Sequence, residues 1–315
     1  MTLKEILLII SISILSIIVL LFIIYGFIMA IVFKKTFGRS KCISLLDLDL
    51  RNTHYNKHLK QIKEYILYFS SIPYEVVKIK NDNLVLSGKY YNNGSPNTVI
   101  MAHGYHAKSL NNFHASGISF LNHGYNILMI DERAHNDSEG KFTTMGLKEQ
   151  YDILEWIKWV ERTTNTQNIV LYGVSMGAAS VCYLSNKLEN TLVRAIVSDC
   201  GFTSFYDEIF YQERKRIDLL LILFFMRLYA KMFLHIDIKN RVSESLKDDI
   251  IPIYFIHGLD DEMVPVEHTI TNFNAVKAEK KVRYVAGAGH TTSFLIDYDY
   301  LDKDVFSFIN KYIDD

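Results

Sequence analysis

The sequence predicts an α/β fold: a mostly parallel twisted sheet flanked by helices, preceded by one helix apolar enough to cross a membrane. Three observations predict it. Short β-branched runs alternate with amphipathic segments from residue 73 onward. A Gly-x-Ser-x-Gly pentapeptide lies between one such run and a small-residue helical stretch. Ile6 to Phe33 carries no charge at all.

The N-terminal element is the plainest. ILLIISISILSIIVLLFIIYGFIMAIVF is 28 residues long, interrupted only by Ser11, Ser13, Ser16, Tyr25 and Gly26. At about 1.5 Å per residue, roughly 20 residues cross a hydrocarbon core, so this run spans with tilt. The serine hydroxyls can return to the preceding helical turn. A signal peptide has an apolar region of about 7–15 residues followed by small residues; that pattern is absent, and GRSK before Cys42 is not a lipid-attachment box. Residues 1–33 are therefore read as a single-pass anchor. Lys34, Lys35, Arg39 and Lys41 follow it, against Lys4 offset by Glu5, so the positive-inside rule puts the C-terminal bulk in the cytoplasm. Residues 34–72 read as a helical connector, with Leu59, Ile62, Ile66 and Phe69 at helical spacing. That stripe is expected to pack on the following domain rather than lie on the membrane surface.

Residues 73–315 form the α/β unit. Strands are expected at Glu75–Ile79, Leu84–Tyr91, Thr98–His103, Asn126–Asp131, Ile169–Tyr172, Ala195–Ser198, Ile251–His257 and Val282–Val285, the first two as a hairpin. Helices are expected at 113–123, 146–164, 176–189, 267–279 and 299–313. Residues of about 201–249 break the alternation. The apolar stretch 217–235 within them is near the length of a second span, but Asp218, Arg227 and Lys231 favour an apolar helical cap over the site.

The chemistry gathers in three loops. Gly173-Val174-Ser175-Met176-Gly177 follows the strand IVLY and opens a helix, the context of a nucleophile elbow, in which side chains at the glycines would strike neighbouring elements. A serine hydroxyl needs a base, and the base a carboxylate to orient it. Both follow in the order Ser, acid, His: Asp261 after the strand IIPIYFI and His290 after VRYV. Asp260, with Glu262 beside it, is the rival to Asp261. Metal binding by this acidic trio is the weaker alternative, because consecutive residues rarely converge on one ion. Backbone N–H groups of Met176 and Tyr105 are the expected oxyanion donors, the latter from the loop after strand TVIMA. Whether the Tyr105 hydroxyl also reaches the site is left open by the sequence. His103 and His257 read as structural rings, Cys182 as core, and Cys200 as pocket wall.

At these residues the sequence resembles the α/β-hydrolase superfamily, in its serine peptidase-like branch, with membrane-bound bacterial hydrolases and prolyl oligopeptidase-type domains. The resemblance covers roughly residues 73–312. Beyond the Ser, Asp and His positions it rests on HGY at 103–105, DERAH at 131–135, SEG at 138–140, GLKEQYDILEWI at 146–157 and IHGLDDEMVP at 256–265. The family's acid stands three residues before Val-Pro, which favours Asp261. Asn136-Asp137 departs from the glycine and small or basic residue that relatives commonly carry there. Arg133 and His135 are expected to brace that loop.

The resemblance implies an α/β-hydrolase fold with a helical cap and a serine hydrolase acting through an acyl-enzyme on an ester, thioester or amide. Its partner would be a small-molecule, lipid or peptide acyl substrate, with no metal or organic cofactor. Near-balanced charge, 34 basic against 35 acidic residues without a basic stripe, argues against nucleic acid. Three cysteines at no metal-like spacing argue against a disulfide framework or Cys-rich zinc site. The alternative is a catalytically silent hydrolase fold serving as a membrane-tethered binding module.

Overall fold

The structure, a computed structural model, describes residues 1–39, 42–47 and 55–313. Lys41, residues 48–54 of the expected connector and the last two residues lie outside them. Eight strands form one sheet: β1 (Glu75–Asn81), β2 (Leu84–Tyr91), β3 (Asn97–Ala102), β4 (Asn126–Ile130), β5 (Asn168–Val174), β6 (Val193–Asp199), β7 (Ile253–Gly258) and β8 (Lys280–Val285). Their spatial order is β1-β2-β4-β3-β5-β6-β7-β8. The β1/β2 hairpin is antiparallel and β2 meets β4 antiparallel, while all later pairs are parallel. Strands expected from β-branched runs are all present, with ends shifted by a few residues.

Both faces of the sheet are covered, as parallel strands require. Alternate residues divide between two cores. Ile100, Leu128 and Leu171 pack with Trp156 and Ile157 on one face. Val99, Met101, Ile127 and Tyr172 pack with Phe69, Phe113, Phe120 and Phe306 on the other. The helices supplying these layers are α2 (Leu59–Ser70), α3 (Ser109–Asn122), α4 (Glu149–Thr163), α5 (Met176–Leu184), α9 (Val266–Ala275) and α11 (Tyr298–Ile309), with the short α10 (Ser293–Ile296) before the last. Helix α4 starts three residues later than periodicity suggests. Met145 and Gly146 have positive φ, and the buried Glu149 carboxylate accepts from Thr144 N–H, Gly146 N–H and the Thr143 and Thr144 hydroxyls, which fixes the turn before the helix. In α2 the residues Ile62, Ile66 and Phe69 are buried against the domain, as the stripe predicts.

The inserted segment folds as α6 (Phe205–Gln212), α7 (Leu219–Tyr229), a π-helical turn over Ala230–Leu234 and α8 (Val242–Leu246). Helix α1 (Leu3–Phe37) is the one described helix long and apolar enough to cross a membrane. Thr2 caps it, accepting from Glu5 N–H, while Glu5 accepts from Thr2 N–H. Residues 1–24 touch little, but Gly26, Met29, Phe33 and Phe37, three or four apart, are buried. They seat the last third of α1 against α7. A Cβ on Gly26 would come within 2.8 Å of the Phe225 ring, and Tyr229 Oη donates to the Gly26 carbonyl at 2.6 Å.

Candidate active site

Three loops at the carboxyl ends of β5, β7 and β8 converge, where open α/β sheets bind ligands. The turn after β5 holds Ser175 at φ 55°, ψ −113°, a conformation costly for a non-glycine residue. The surroundings fix it: Ser175 N–H donates to the Asp199 carbonyl at 2.8 Å, and the Ser175 carbonyl accepts from Ala179 N–H at 3.0 Å. A Cβ on Gly177 would overlap the Ala102 carbonyl of β3, and one on Gly173 would overlap the Gly177 carbonyl. Bare backbone is therefore obligatory at both positions.

His290 reaches this serine from the loop after β8. With its proton on Nδ1, it donates to Asp261 Oδ2 at 2.7 Å, and Nε2 accepts from Ser175 Oγ at 3.0 Å. Asp261 comes from the loop after β7 and is buried, whereas Asp260 beside it is exposed. The other Asp261 oxygen accepts from Met263 N–H at 3.0 Å and Val264 N–H at 2.9 Å. Burial pushes this carboxyl up, but the His290 hydrogen bond and charge, with the Val264 N–H, outweigh it and hold the group below its ordinary value. The structure thus brings Ser175, His290 and Asp261 into one hydrogen-bonded row and leaves Asp260 and Glu262 outside it.

The two expected oxyanion donors flank the serine differently. Met176 is the first residue of α5, where an N–H has no acceptor within the helix. Tyr105 follows Gly104, whose added Cβ would lie 3.3 Å from Ser175 Cβ, so this backbone runs against the serine. The Tyr105 hydroxyl does not turn into the site: it donates to the Thr36 carbonyl in the last turn of α1 at 2.6 Å. His103 accepts from Glu132 N–H, and His257 bridges Thr269 and the Val264 carbonyl. Burial pushes His103 down to about 4 and also lowers His257, so both are neutral rings holding loops.

The loop after β4 is braced as expected. Arg133 grips Asp152 through Nε at 2.6 Å and Nη2 at 2.7 Å, and reaches Asp82 at 3.2 Å. His135 accepts from His106 N–H at 3.0 Å. Asn136 sits at φ 42°, and its amide donates to Asp131 and the Ala107 carbonyl. Asparagine tolerates this left-handed conformation better than most residues, so the departure from glycine leaves the loop's shape intact.

A cavity of about 600 Å³ opens on Ser175 and His290. Its walls are mainly apolar, with Phe202, Phe205 and Ile209 from the start of the cap, Ile222 and Met226 from α7, and Val32 from α1. Glu208 and Tyr55 also face it, and neither is marked by any sequence pattern. Burial pushes Glu208 up to about 7. Asp199, fully buried at the end of β6, is likewise pushed up to about 7 by burial. Cys200 lies with Asp261 and His290, their ligand-type atoms within 4.8 Å of one another. The His290 nitrogens and Asp261 oxygens already bond within the row, so this trio is not read as a metal centre.

Sheet order, the helical insertion and the elbow between β5 and α5 are those of the α/β-hydrolase fold. Residues 70–218 match the family model of the X-Pro dipeptidyl-peptidase (S15 family). Among solved structures, the Pyrococcus furiosus esterase Pf2001 superposes with a TM-score of 0.65 at 24% identity, covering 78% of this chain and 96% of that one. The Pyrococcus horikoshii acylaminoacyl peptidase gives 0.56 at 16% identity, covering 79% of this chain and 44% of that one. The Bacillus subtilis (strain 168) protein YqkD is 26% identical over 223 residues, 69% of this chain and 72% of the relative. These likenesses show an α/β-hydrolase fold, and residues 70–218 are similar to the S15 peptidase family.

Proposed function

We propose that this chain is a membrane-anchored serine hydrolase that cleaves an ester, thioester or amide of an apolar acyl group through Ser175, His290 and Asp261. The observation that carries the reading is the row from Ser175 Oγ through His290 to Asp261, at 3.0 and 2.7 Å. His290 takes the Ser175 proton as Oγ bonds to the acyl carbon. Asp261 holds the imidazole tautomer and stabilises the imidazolium. The Met176 and Tyr105 N–H groups receive the oxyanion. Collapse expels the alcohol, thiol or amine, which takes the proton from His290. Water, deprotonated by the same ring, then releases the acid and restores the serine. None of these steps uses a metal or organic cofactor.

In the same reading, residues 1–33 are the anchor, 34–72 the connector, and 73–315 the hydrolase domain with its cap at about 201–249. The apolar cavity wall supports an apolar acyl group. The excess of basic residues after Phe33 supports a cytoplasmic site. A fluorophosphonate probe tests the chemistry directly. The wild-type chain should label, and Ser175→Ala should abolish labelling with no change in melting temperature. A folded wild type that fails to label would favour the silent binding module instead.

A further inference from the structure

The surface of the cap that faces away from the site is unusual for an exposed surface. Ile217 is 105% exposed, Leu220 78%, Phe224 51% and Phe233 57%. They follow or flank a turn, Arg214-Lys215-Arg216, whose three cationic residues are all exposed. This apolar face is continuous with α1. Phe22 packs on Phe224 and Phe225, with ring centroids 6.3 and 5.1 Å apart, and Phe33 meets Phe233 at 6.0 Å. On the free side of α1 the apolar surface continues through Phe27 and Ile31, 72% and 60% exposed.

The level of the membrane follows from α1 itself. Residues 3–24 are exposed along their length, with Phe22 meeting the α7 rings described above, and at about 1.5 Å per residue they measure roughly 33 Å, the thickness of a hydrocarbon core. Tyr25 comes next, its hydroxyl donating to Asp218 at 2.8 Å, and Asp218 pairs with Arg216 at 2.8 Å. An aromatic residue tied to a charged pair marks the polar boundary of a bilayer. The basic turn therefore stands at headgroup level, where anionic lipids attract it, and the apolar residues beside it are placed to enter the boundary layer, about 5–10 Å deep.

We infer that the turn at 213–218 and the outer face of α7 form a second, non-spanning membrane contact, and that the hydrolase takes its acyl substrate directly from the bilayer. This rests on the membrane-anchored hydrolase reading above. The seam between α1 and α7 carries it further, because Val32 on one helix and Ile222 and Met226 on the other line the cavity at Ser175. An acyl chain moving along that seam stays against apolar side chains from the bilayer to the serine. A long-chain lipid ester fits this route, and a water-soluble peptide gains nothing from it.

The full-length chain tests this in mixed phosphatidylcholine and phosphatidylglycerol vesicles containing lipid-bound quenchers. The three cysteines, Cys42, Cys182 and Cys200, are buried, so a bimane label on Leu220→Cys is selective. Quenching is expected at Leu220→Cys and Ile12→Cys, and none at Asn92→Cys in the exposed turn after β2. Quenching at position 12 alone overturns the second contact. If the chain also doubles in mass as its concentration rises, the face belongs to a second copy. Absence of quenching at both positions overturns the anchor as well. Ile217→Ser/Leu220→Ser/Phe224→Ser should slow hydrolysis of a long-chain ester held in the vesicles by about tenfold or more. A short, water-soluble ester should be hydrolysed at the wild-type rate. Equal rates on the vesicle substrate, or equal losses on both, would overturn delivery from the bilayer. A wild type inert toward the short ester would refute the hydrolase reading, while the quenching result still decides the surface.

Discussion

Replacing Asp261 by asparagine separates orientation from charge. Three donors converge on this carboxylate, His290 Nδ1–H, Met263 N–H and Val264 N–H, and a carboxylate accepts all of them. An amide offers one oxygen and one NH₂. If the oxygen faces His290, the NH₂ abuts two backbone N–H groups and loses both buried hydrogen bonds, at about 1–3 kcal/mol each. If it faces the backbone, only the His290 contact becomes donor against donor, and the ring relieves it by moving its proton to Nε2. The second arrangement costs less. It turns an N–H toward Ser175 Oγ, so the ring can no longer take the serine proton. The expected loss in kcat is on the order of 10³–10⁴-fold, or ~4–5.5 kcal/mol of barrier. Asp260→Asn is the control, since that side chain is exposed and its N–H bonds to the Ala288 carbonyl through the backbone. The assay is kcat/KM on a short-chain ester with the full-length chain in detergent, accompanied by a thermal melt. An Asp261→Asn enzyme within about threefold of wild type, or an equal loss in Asp260→Asn, would refute the assignment.

Arg133→Met should destabilise the fold by about 3–5 kcal/mol, because it leaves Asp152, 2% exposed, buried without its bidentate partner. Arg133→Met/Asp152→Leu should recover most of that loss in chemical denaturation. Asp199→Asn should raise the melting temperature at about pH 8, with the gain shrinking toward about pH 5. The folded pKa, about 7, lies above the unfolded value, so wild-type stability falls as pH rises between the two. A gain that is independent of pH would show that this carboxyl does not titrate as described. Protease added to intact cells should leave the hydrolase domain uncut, and its digestion would reverse the proposed orientation.

What was legible in the sequence was what local rules determine. The alternation of strands and helices follows from side-chain period. The elbow follows from two glycines that a strand–turn–helix cannot replace, and the chain order Ser, Asp, His follows from the loops that share one sheet edge. The choice between Asp260 and Asp261 was harder, because adjacent residues after a strand differ only in which way the turn points them. Family pattern favoured Asp261, and the Met263 and Val264 N–H groups supply the physical reason. Pairings distant in the chain left no trace. Tyr25 with Asp218 and Tyr229 with Gly26 are separated by about two hundred positions, and neither has a periodic signature. The destination of the Tyr105 hydroxyl was hidden for the same reason. Glu208 escaped notice because a glutamate on a cap helix reads as a solvated residue until the helix is folded over a pocket.

A tether is ordinarily an exchangeable part, since any apolar helix of sufficient length will hold a domain at a bilayer. The contact between Tyr105 and the Thr36 carbonyl ends that freedom here. Tyr105, next to the Gly104 backbone that runs against Ser175, fastens its side chain to the end of α1, and Phe33 and Phe37 of that helix lie within the domain's own core. A substitute helix would have to reproduce glycine at 26 and the Met29, Phe33 and Phe37 series, or leave the loop after β3 without its stay. In the proposed reading, anchor and hydrolase domain thus form one packed unit, and grafting this domain onto a foreign membrane helix should cost activity as well as change position.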